Sequence, residues 1–308
     1  MINVFIDGKN GTTGLKIEER LSVKSDVKVI TLPEEKRKDI KARKEALNSA
    51  DVAILCLPDD AAKESVSLIE NERVRVIDAS TAHRTAAGWA YGFAELSEEF
   101  EENIKNGKRV AVPGCHAGGF IALMYPLVKN GIIGKDTALT CTSLTGYSGG
   151  GKKMIAEYES GEKTPLYVAP RVYGIAQAHK HLPEMTAISG LDGPPAFVPV
   201  VCDFYSGMEV VVPLFKSQMK KGDAAAIKAI YKELYCGNIV KYTEENEDGF
   251  LSAAKLAGKD SMEISVFGNG DRLLLTARYD NLGKGASGAA IECFNIMNGK
   301  NKEESLIL

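Results

Sequence analysis

The chain has four histidines and one tryptophan in 308 residues, and its six cysteines include no Cys-x-x-Cys pair. Without paired or clustered cysteines there is neither a disulfide framework nor a thiolate metal cage to read, which fits a reducing, cytoplasmic setting. No run approaches the ~18 apolar residues that a membrane span requires. The opening Met1-Ile2-Asn3-Val4-Phe5-Ile6 lacks the charged start and long apolar stretch of a signal peptide and reads as a strand. Positive charge is not in excess either. Lys and Arg number 38 against 41 Asp and Glu, a net charge of −3. A broad basic surface, and with it a nucleic-acid partner, is therefore not expected. Internal repeats and low-complexity linkers are absent as well. What remains is an ordinary globular composition, 44% hydrophobic and 26% charged, in a chain long enough to predict two domains.

The order of elements defines those domains. Residues 2–6 predict a strand, 8–14 a glycine loop, and the stretch to Leu21 a helix. Strands follow at 27–32, 52–57 and 74–78, with helices at 34–49 and 61–70 between them. This alternation means a parallel sheet with crossover helices, an α/β domain of Rossmann type. After Lys135 the texture changes. Strands are predicted at 138–144, 196–201, 209–215, 262–267 and 272–280, with helices at 151–160 and 223–235. That pattern suggests an α+β domain with a mixed or antiparallel sheet. A final helix over 285–297 has an apolar face and is expected to return to the first domain. The predicted division is 1–114 plus 285–308, and 115–284.

Gly8, Gly11 and Gly14 form a G-x-x-G-x-x-G loop that begins two residues after the first strand. Glycines there allow a tight strand-to-helix turn and let a phosphate approach backbone amides; the bland alternative is a plain βα turn. Past the second strand come Glu34, then Lys36, Arg37 and Lys38. The cations can pair with a 2′-phosphate, which favours NADP, or form a solvated helix face. Arg84, in Asp78-Ala79-Ser80-Thr81-Ala82-His83-Arg84 beyond a strand end, is a clamp for a phosphate or carboxylate, or a surface residue. The loop Thr145 to Lys153 is glycine-rich; with Lys152 it can bind an anion, or it is a flexible junction.

Cys115 stands in Val112-Pro113-Gly114-Cys115-His116-Ala117-Gly118-Gly119. Pro113-Gly114 stops the short strand at 110–112, and 117–129 predicts a helix, so the thiol falls at or just before a helix N-terminus. Amides and dipole there favour a thiolate, which marks Cys115 as a nucleophile rather than a packed core thiol. Cys56, Cys141, Cys202, Cys236 and Cys293 mostly sit in apolar runs and read as core. In Ala178-His179-Lys180-His181-Leu182-Pro183-Glu184, an extended segment points both imidazoles one way, and Glu184 is close enough to orient one of them. No Cys or Asp stands near this His-x-His pair, so no metal is expected.

Taken in order, these blocks resemble the N-acetyl-gamma-glutamyl-phosphate reductases of arginine biosynthesis, in their shorter branch. The resemblance rests on residues 8–14, Cys-Leu-Pro-Asp-Asp at 56–60, 78–84, Tyr-Gly-Phe at 91–93, Gly-Tyr-Ser-Gly-Gly-Gly-Lys at 146–152, Ala-His-Lys-His-Leu-Pro-Glu-Met at 178–185 and Lys-Gly-Ala-Ser-Gly at 284–288. It implies an NADPH-dependent reduction of a small acyl phosphate to a semialdehyde through a cysteine thioester. It further implies an NADP-binding domain and a catalytic domain that associates into a homodimer or homotetramer. The nucleophile falls on Cys115 and the acid/base histidine on His181, with Glu184 supporting it. Cofactor contacts fall on Gly8, Asn10, Gly11, Thr12, Thr13, Gly14, Leu57, Pro58, Asn281, Lys284 and Gly285, beside the cations Lys36 and Arg37. Substrate contacts fall on Arg84, Ser148, Lys152 and His179. Two other readings are an aspartate-semialdehyde dehydrogenase-like reductase of another acyl phosphate and a non-catalytic dinucleotide-binding protein. One block departs from the family. Where its members commonly have Asn-Pro-Gly-Cys-Tyr-Pro-Thr, this chain has Val112 and, beside the thiol, His116. That departure bears on substrate orientation and on the pH dependence of the thiolate.

Overall fold

The computed structural model describes residues 1–161 and 164–308. It divides into two compact units. The first comprises Met1–Ala94, Glu98–Pro113 and Ala286–Leu306, the second Glu95–Ser97, Gly114–Gly285 and Ile307–Leu308.

In the first unit the chain runs β1 (Ile2–Asp7), α1 (Thr12–Ser22), β2 (Val27–Ile30), α2 (Ile40–Ser49), β3 (Val52–Leu55), α3 (Asp59–Ser67), β4 (Arg75–Asp78), β5 (Ala90–Tyr91), α4 (Glu98–Asn106) and β6 (Arg109–Ala111). The six strands are all parallel, in the order β2-β1-β3-β4-β6-β5. Both faces are covered, so the central strand positions are apolar, and alternate residues serve opposite sides. Val4, Ile6, Ile54, Ile77 and Val110 pack with Ile17, Leu21 and the last helix, Gly288–Met297. Phe5, Ala53, Leu55 and Val76 pack with Ala46, Leu47 and Ala62 on the other face. The order of strands reverses at β1, which has β2 on one side and β3 on the other. Beyond the carboxyl ends of such a pair lies the crevice where doubly wound sheets take their ligands.

The expected α/β alternation is present, with one break. The charged stretch 34–49 is not one helix. Glu34–Lys36 makes a 3-10 turn, and α2 starts only at Ile40, because the Asp39 carboxylate accepts the Ala42 amide at 2.8 Å as an N-cap. A short acceptor side chain competes with helix continuation, so charge density alone overstated the helix.

The second unit contains α5 (Cys115–Lys129), β7 (Thr140–Gly146), α6 (Gly151–Glu159), α7 (Pro165–Val168), β8 (Arg171–Val172), α8 (Leu182–Ser189), β9 (Ala196–Cys202), β10 (Met208–Phe215), α9 (Ala224–Leu234), β11 (Val240–Tyr242), β12 (Met262–Gly268) and β13 (Arg272–Tyr279). Its seven-stranded sheet has the order β11-β12-β13-β10-β7-β9-β8. The pairs β11/β12 and β7/β9 are parallel and the rest antiparallel, a mixed sheet as the sequence suggests. One face packs on α5, whose residues from His116 to Met124 are all buried. On the other face Arg278 is fully buried between its cross-strand neighbours Glu209 and Glu263, with Nη2 3.1 Å from Glu263 and Nη1 2.9 Å from Glu247. Burial pushes the Glu209 carboxyl up to about 7, against the pull of Arg278.

Pro126 lies inside α5. It has no N–H, so the carbonyl of Ala122, four residues earlier, has no helical donor. The phenol of Tyr235 donates to Ala122 O, and that of Tyr231 to Leu123 O, each at 2.6 Å. Removing one hydroxyl by Tyr235→Phe leaves a buried carbonyl unpaired, which costs on the order of 1–3 kcal/mol. The urea midpoint should fall accordingly. Pro126→Ala, which restores the amide, should recover part of that loss in the double variant, and simple additivity would refute the pairing.

Candidate active site

The thiol site is built where α5 begins. Gly114, extended at φ −70 and ψ 142, is the N-cap, and Cys115 is the first helical residue, half-buried. Cys115 therefore belongs to the first turn at the positive end of a 15-residue helix. Tyr279 fastens this turn by accepting the Gly119 amide at 3.0 Å and donating to Cys115 O. Gly285 passes so close that a Cβ there would lie 3.2 Å from the Cys115 Cβ. The other thiols differ. Cys141, Cys202 and Cys293 are buried, and burial of its sulfur pushes Cys56 up to about 12. Cys236 is exposed, contrary to a core reading: it follows the end of α9 in a short bridge and faces solvent.

Glu184 meets this turn from another element. Buried in the first turn of α8, it accepts the Gly114 amide on Oε1 at 2.7 Å. Sequence reasoning had placed Glu184 beside an imidazole and had no signal for this bond, because the two residues are 70 apart in sequence. His181 is the residue before α8, in a turn rather than on an extended segment; Pro183 at the helix start favours that turn. The ring centroids of His179 and His181 are 4.7 Å apart and nearly perpendicular. His116 joins them, 5.6 Å from His179 and 5.7 Å from His181. Cys115, His116, His179, His181 and Glu184 thus gather at one place. His116 is enclosed, and burial, aided by His179, pushes its pKa down to about 3, so its imidazole is neutral. Burial, then Lys180, also lowers His179.

Ser148 and Asn281 come together nearby in the chain's second unit. Asn281 donates to Ser148 Oγ at 2.9 Å and accepts the Gly207 amide at 2.9 Å. Lys284 is buried and pairs with Glu95 at 2.8 Å. Lys152 is exposed on α6.

In the first unit a cleft of about 430 Å³ opens at the switch point. Its lining includes Gly8, Asn10, Gly11, Arg37, Lys38, Arg43, Leu57 and Pro58. Lys36 is not part of it; the 3-10 turn presents Arg37 and Lys38 instead. Asn10 donates to Glu34 at 3.1 Å, and Glu34 pairs with Arg37 at 2.8 Å. Arg43 escaped the sequence reading because it sits within a uniformly charged stretch. It is buried on Asp7 and Glu64. A dinucleotide fits this cleft. Gly8 has φ +85, and a Cβ there would lie 2.4 Å from Cys56 O; at Gly14 a Cβ would lie 2.7 Å from Lys9 Cα. Only glycine leaves that approach open, and the amides of Thr12, Thr13 and Gly14 precede the first helical bond, Leu15 N to Gly11 O. Arg84 is buried, with Nε on Val112 O at 2.9 Å and Nη2 on Ala79 O at 3.2 Å. It ties together the ends of neighbouring strands. Beside it His83 bonds Asp78 at 2.6 Å and stacks on Trp89 at 4.0 Å.

Two family models match this chain: semialdehyde dehydrogenase, NAD binding domain, over residues 10–105, and semialdehyde dehydrogenase, dimerisation domain, over residues 115–281. A glycine-cradled dinucleotide cleft and a cysteine in the first turn of a helix beside histidines agree with that class, the semialdehyde dehydrogenases. Solved structures show the same fold. Aspartate semialdehyde dehydrogenase II of Vibrio cholerae superposes with a TM-score of 0.72 at 15% identity, over 97% of this chain and 98% of that one. The enzyme of Francisella tularensis gives 0.72 at 15%, over 97% and 100%. Curated relatives are nearer in sequence. N-acetyl-gamma-glutamyl-phosphate reductase of Brucella ovis is 45% identical over 96% of this chain and 99% of its own length, and that of Sinorhizobium medicae 44% identical over 96% and 98%. The chain belongs to the N-acetyl-gamma-glutamyl-phosphate reductase family. No helix among the described residues is long and apolar enough to cross a membrane.

The lowered pKa of His116 has a thermodynamic consequence. Below its ordinary value of 6.5 the unfolded chain binds a proton that the native state refuses until about pH 3. One such group makes stability fall with decreasing pH by about 1.4 kcal/mol per unit in that window. The acid limb of a urea-midpoint profile should therefore flatten in His116→Gln. An unchanged limb would place the titration elsewhere.

Proposed function

We propose that this protein reduces N-acetyl-gamma-glutamyl phosphate to N-acetylglutamate semialdehyde with NADPH, through a thioester on Cys115. The observation that carries the reading is Cys115 at the start of α5, with its N-cap held by Glu184 and the histidine turn alongside. The helix terminus stabilises the thiolate. The thiolate adds to the acyl carbon, and collapse of the oxyanion expels phosphate and leaves the thioester. Gly8, Gly11, Gly14 and the first turn of α1 would hold the dinucleotide, which would supply the hydride. His181 serves as the acid/base group at the substrate oxygen, first donating to the oxyanion and then accepting its proton as the carbon–sulfur bond breaks. Glu184 acts as a positioning residue through Gly114. His179, Ser148 and Lys152 contribute polar groups to the substrate side, and Arg84 supports the turn before the thiol through Val112 O. Asn281 sets Ser148. Lys284 and Gly285 shape the chain that passes Cys115. NADP is favoured because Arg37 and Lys38 line the cleft and would pair with a 2′-phosphate; Leu57 and Pro58 line the same cleft, and Thr12 and Thr13 would offer amides from the start of α1. The thiols at Cys115 and Cys236 suit a cytoplasmic protein.

The test is the loss of NADPH absorbance with the acyl phosphate present. Wild type should turn over, and Cys115→Ser should abolish turnover while NADPH still binds, since a serine hydroxyl at neutral pH is a poor nucleophile. Substantial turnover by the serine variant would remove the thioester from the mechanism. Arg37→Ala with Lys38→Ala should raise KM for NADPH far more than for NADH, each lost charge-assisted bond being worth on the order of 1.5–3 kcal/mol.

The second unit also supports a homodimer. Thr142, Val198, Val211, Pro213, Phe215 and Leu274 share one face of the mixed sheet, opposite α5, and stay partly or fully exposed. A largely apolar sheet face of this kind suits self-association. Light scattering should show a dimer of wild type and a folded monomer of Val211→Arg with Leu274→Glu. A wild-type monomer would refute the interface.

A further inference from the structure

The thiol site contains a hydrogen-bonded chain that the scheme above does not use. His116 Nδ1 lies 2.7 Å from Ser143 Oγ, and His116 Nε2 lies 2.5 Å from the Tyr173 hydroxyl. His116 follows Cys115 in α5, Ser143 lies on β7, and Tyr173 stands just past β8, its amide on Pro199 O at 3.0 Å. Phe197 closes the other side of His116 at 5.4 Å, and the rings of His179 and His181 complete the enclosure. Tyr173 itself is half-buried, and its hydroxyl ends the chain that runs from Ser143 through His116.

The protonation states follow from the surroundings. His116 is neutral, as shown above. Burial, and after it the charge of Cys115, pushes the Tyr173 phenol well above its ordinary value. The phenol is therefore protonated and lies within the field of the reacting sulfur. A neutral imidazole has one N–H, so the chain has two registers. In one, Tyr173 donates to Nε2 and His116 donates to Ser143. In the other, Ser143 donates to Nδ1 and Nε2–H donates to the Tyr173 oxygen, which leaves the phenol proton for a third partner. Only the second register gives the neutral histidine a task at this thiol: it fixes a phenol with its O–H available.

We propose that Tyr173 donates a hydrogen bond to the acyl oxygen of the group bound at Cys115, with His116 and Ser143 as positioning residues. The proposal rests on the thioester reading above. As the carbon–sulfur bond forms, the carbonyl electron pair moves onto oxygen, and the phenol bond stabilises that charge until phosphate leaves. The same bond serves when hydride reaches the thioester carbon. Tyr173 keeps its proton throughout, so His181 remains the acid/base group and the balance is unchanged. His116, buried beside the nucleophile, thereby acquires a function in the reaction.

Tyr173→Phe keeps the ring and removes the hydroxyl. Expected is a fall in kcat of roughly 10²–10³-fold, the range for loss of one such donor. KM for the acyl phosphate and the rate of Cys115 alkylation by iodoacetamide should stay at wild-type values. Ser143→Ala should lower kcat less, and adding it to Tyr173→Phe should cause no further loss. This second variant keeps the test open if the first folds poorly. Wild-type kcat in Tyr173→Phe overturns the proposal. A matching fall in alkylation rate also overturns it, by assigning the phenol to the thiolate, and so does a rise in KM with kcat intact. If wild type turns over and only these variants fail to respond, the thioester reading survives and this proposal does not; an inactive wild type overturns both.

Discussion

One buried hydrogen bond sets the geometry of the thiol site. Glu184 stands in the first turn of α8 and accepts the amide of Gly114, the residue that starts α5. Cys115 is the next residue after one partner, and His181 lies three before the other. Two helix starts are thus referred to each other by a charged acceptor on a backbone donor, a bond stronger than its neutral equivalent. Substitution elsewhere on α8 can alter packing without moving the nucleophile relative to the histidine turn, provided this bond persists. The carboxylate also has an electrostatic part. It sits near a helix N-terminus, where negative charge is favoured.

The cofactor cleft depends on a different constraint, the removal of side chains. At Gly8 and Gly14 a single Cβ would overlap backbone atoms. The cleft has no such room to give, because Cys56, which faces Gly8, is held by β3, itself central in a parallel sheet. Around this floor the ionic groups are arranged in layers. Arg43 is buried on Asp7 and Ser65, whereas Arg37 and Lys38 lie at the mouth. The inner arginine supports the floor, and the outer cations line the cleft.

Much of this was legible in the sequence, and the parts that were not share a cause. Alternating β-branched runs and glycine punctuation located the strands of the parallel sheet, and Pro113-Gly114 located the thiol at a helix start. Local pattern carries such features because the residues that decide them are adjacent. It failed where a side chain acts at a distance. Asp39 breaks an expected helix by capping, and the stretch with His179 and His181, expected to be extended, is a turn that leads into α8, with Pro183 at its start. The partners of Glu184, Arg84 and Lys284 are Gly114, Val112 and Glu95, which no spacing rule reaches. Tyr173 was missed altogether. It lies in an irregular stretch, and its importance comes only from the imidazole that the fold brings to it.

The first unit is assembled from three stretches of chain, and the last of them, Ala286–Leu306, supplies Ala290, Ile291 and Phe294 to one face of the parallel sheet. During synthesis on the ribosome that face carries only Ile17, Leu21 and Ile104 until residues 286–306 have emerged. The second unit lies inside the gap and can complete its own sheet first. Its folding brings residues 114 and 285 to fixed positions and shortens the loop that the final helix must close, which lowers the entropic cost of closure. The unit whose strands open the sequence is therefore completed only by a helix that follows every strand of the second unit.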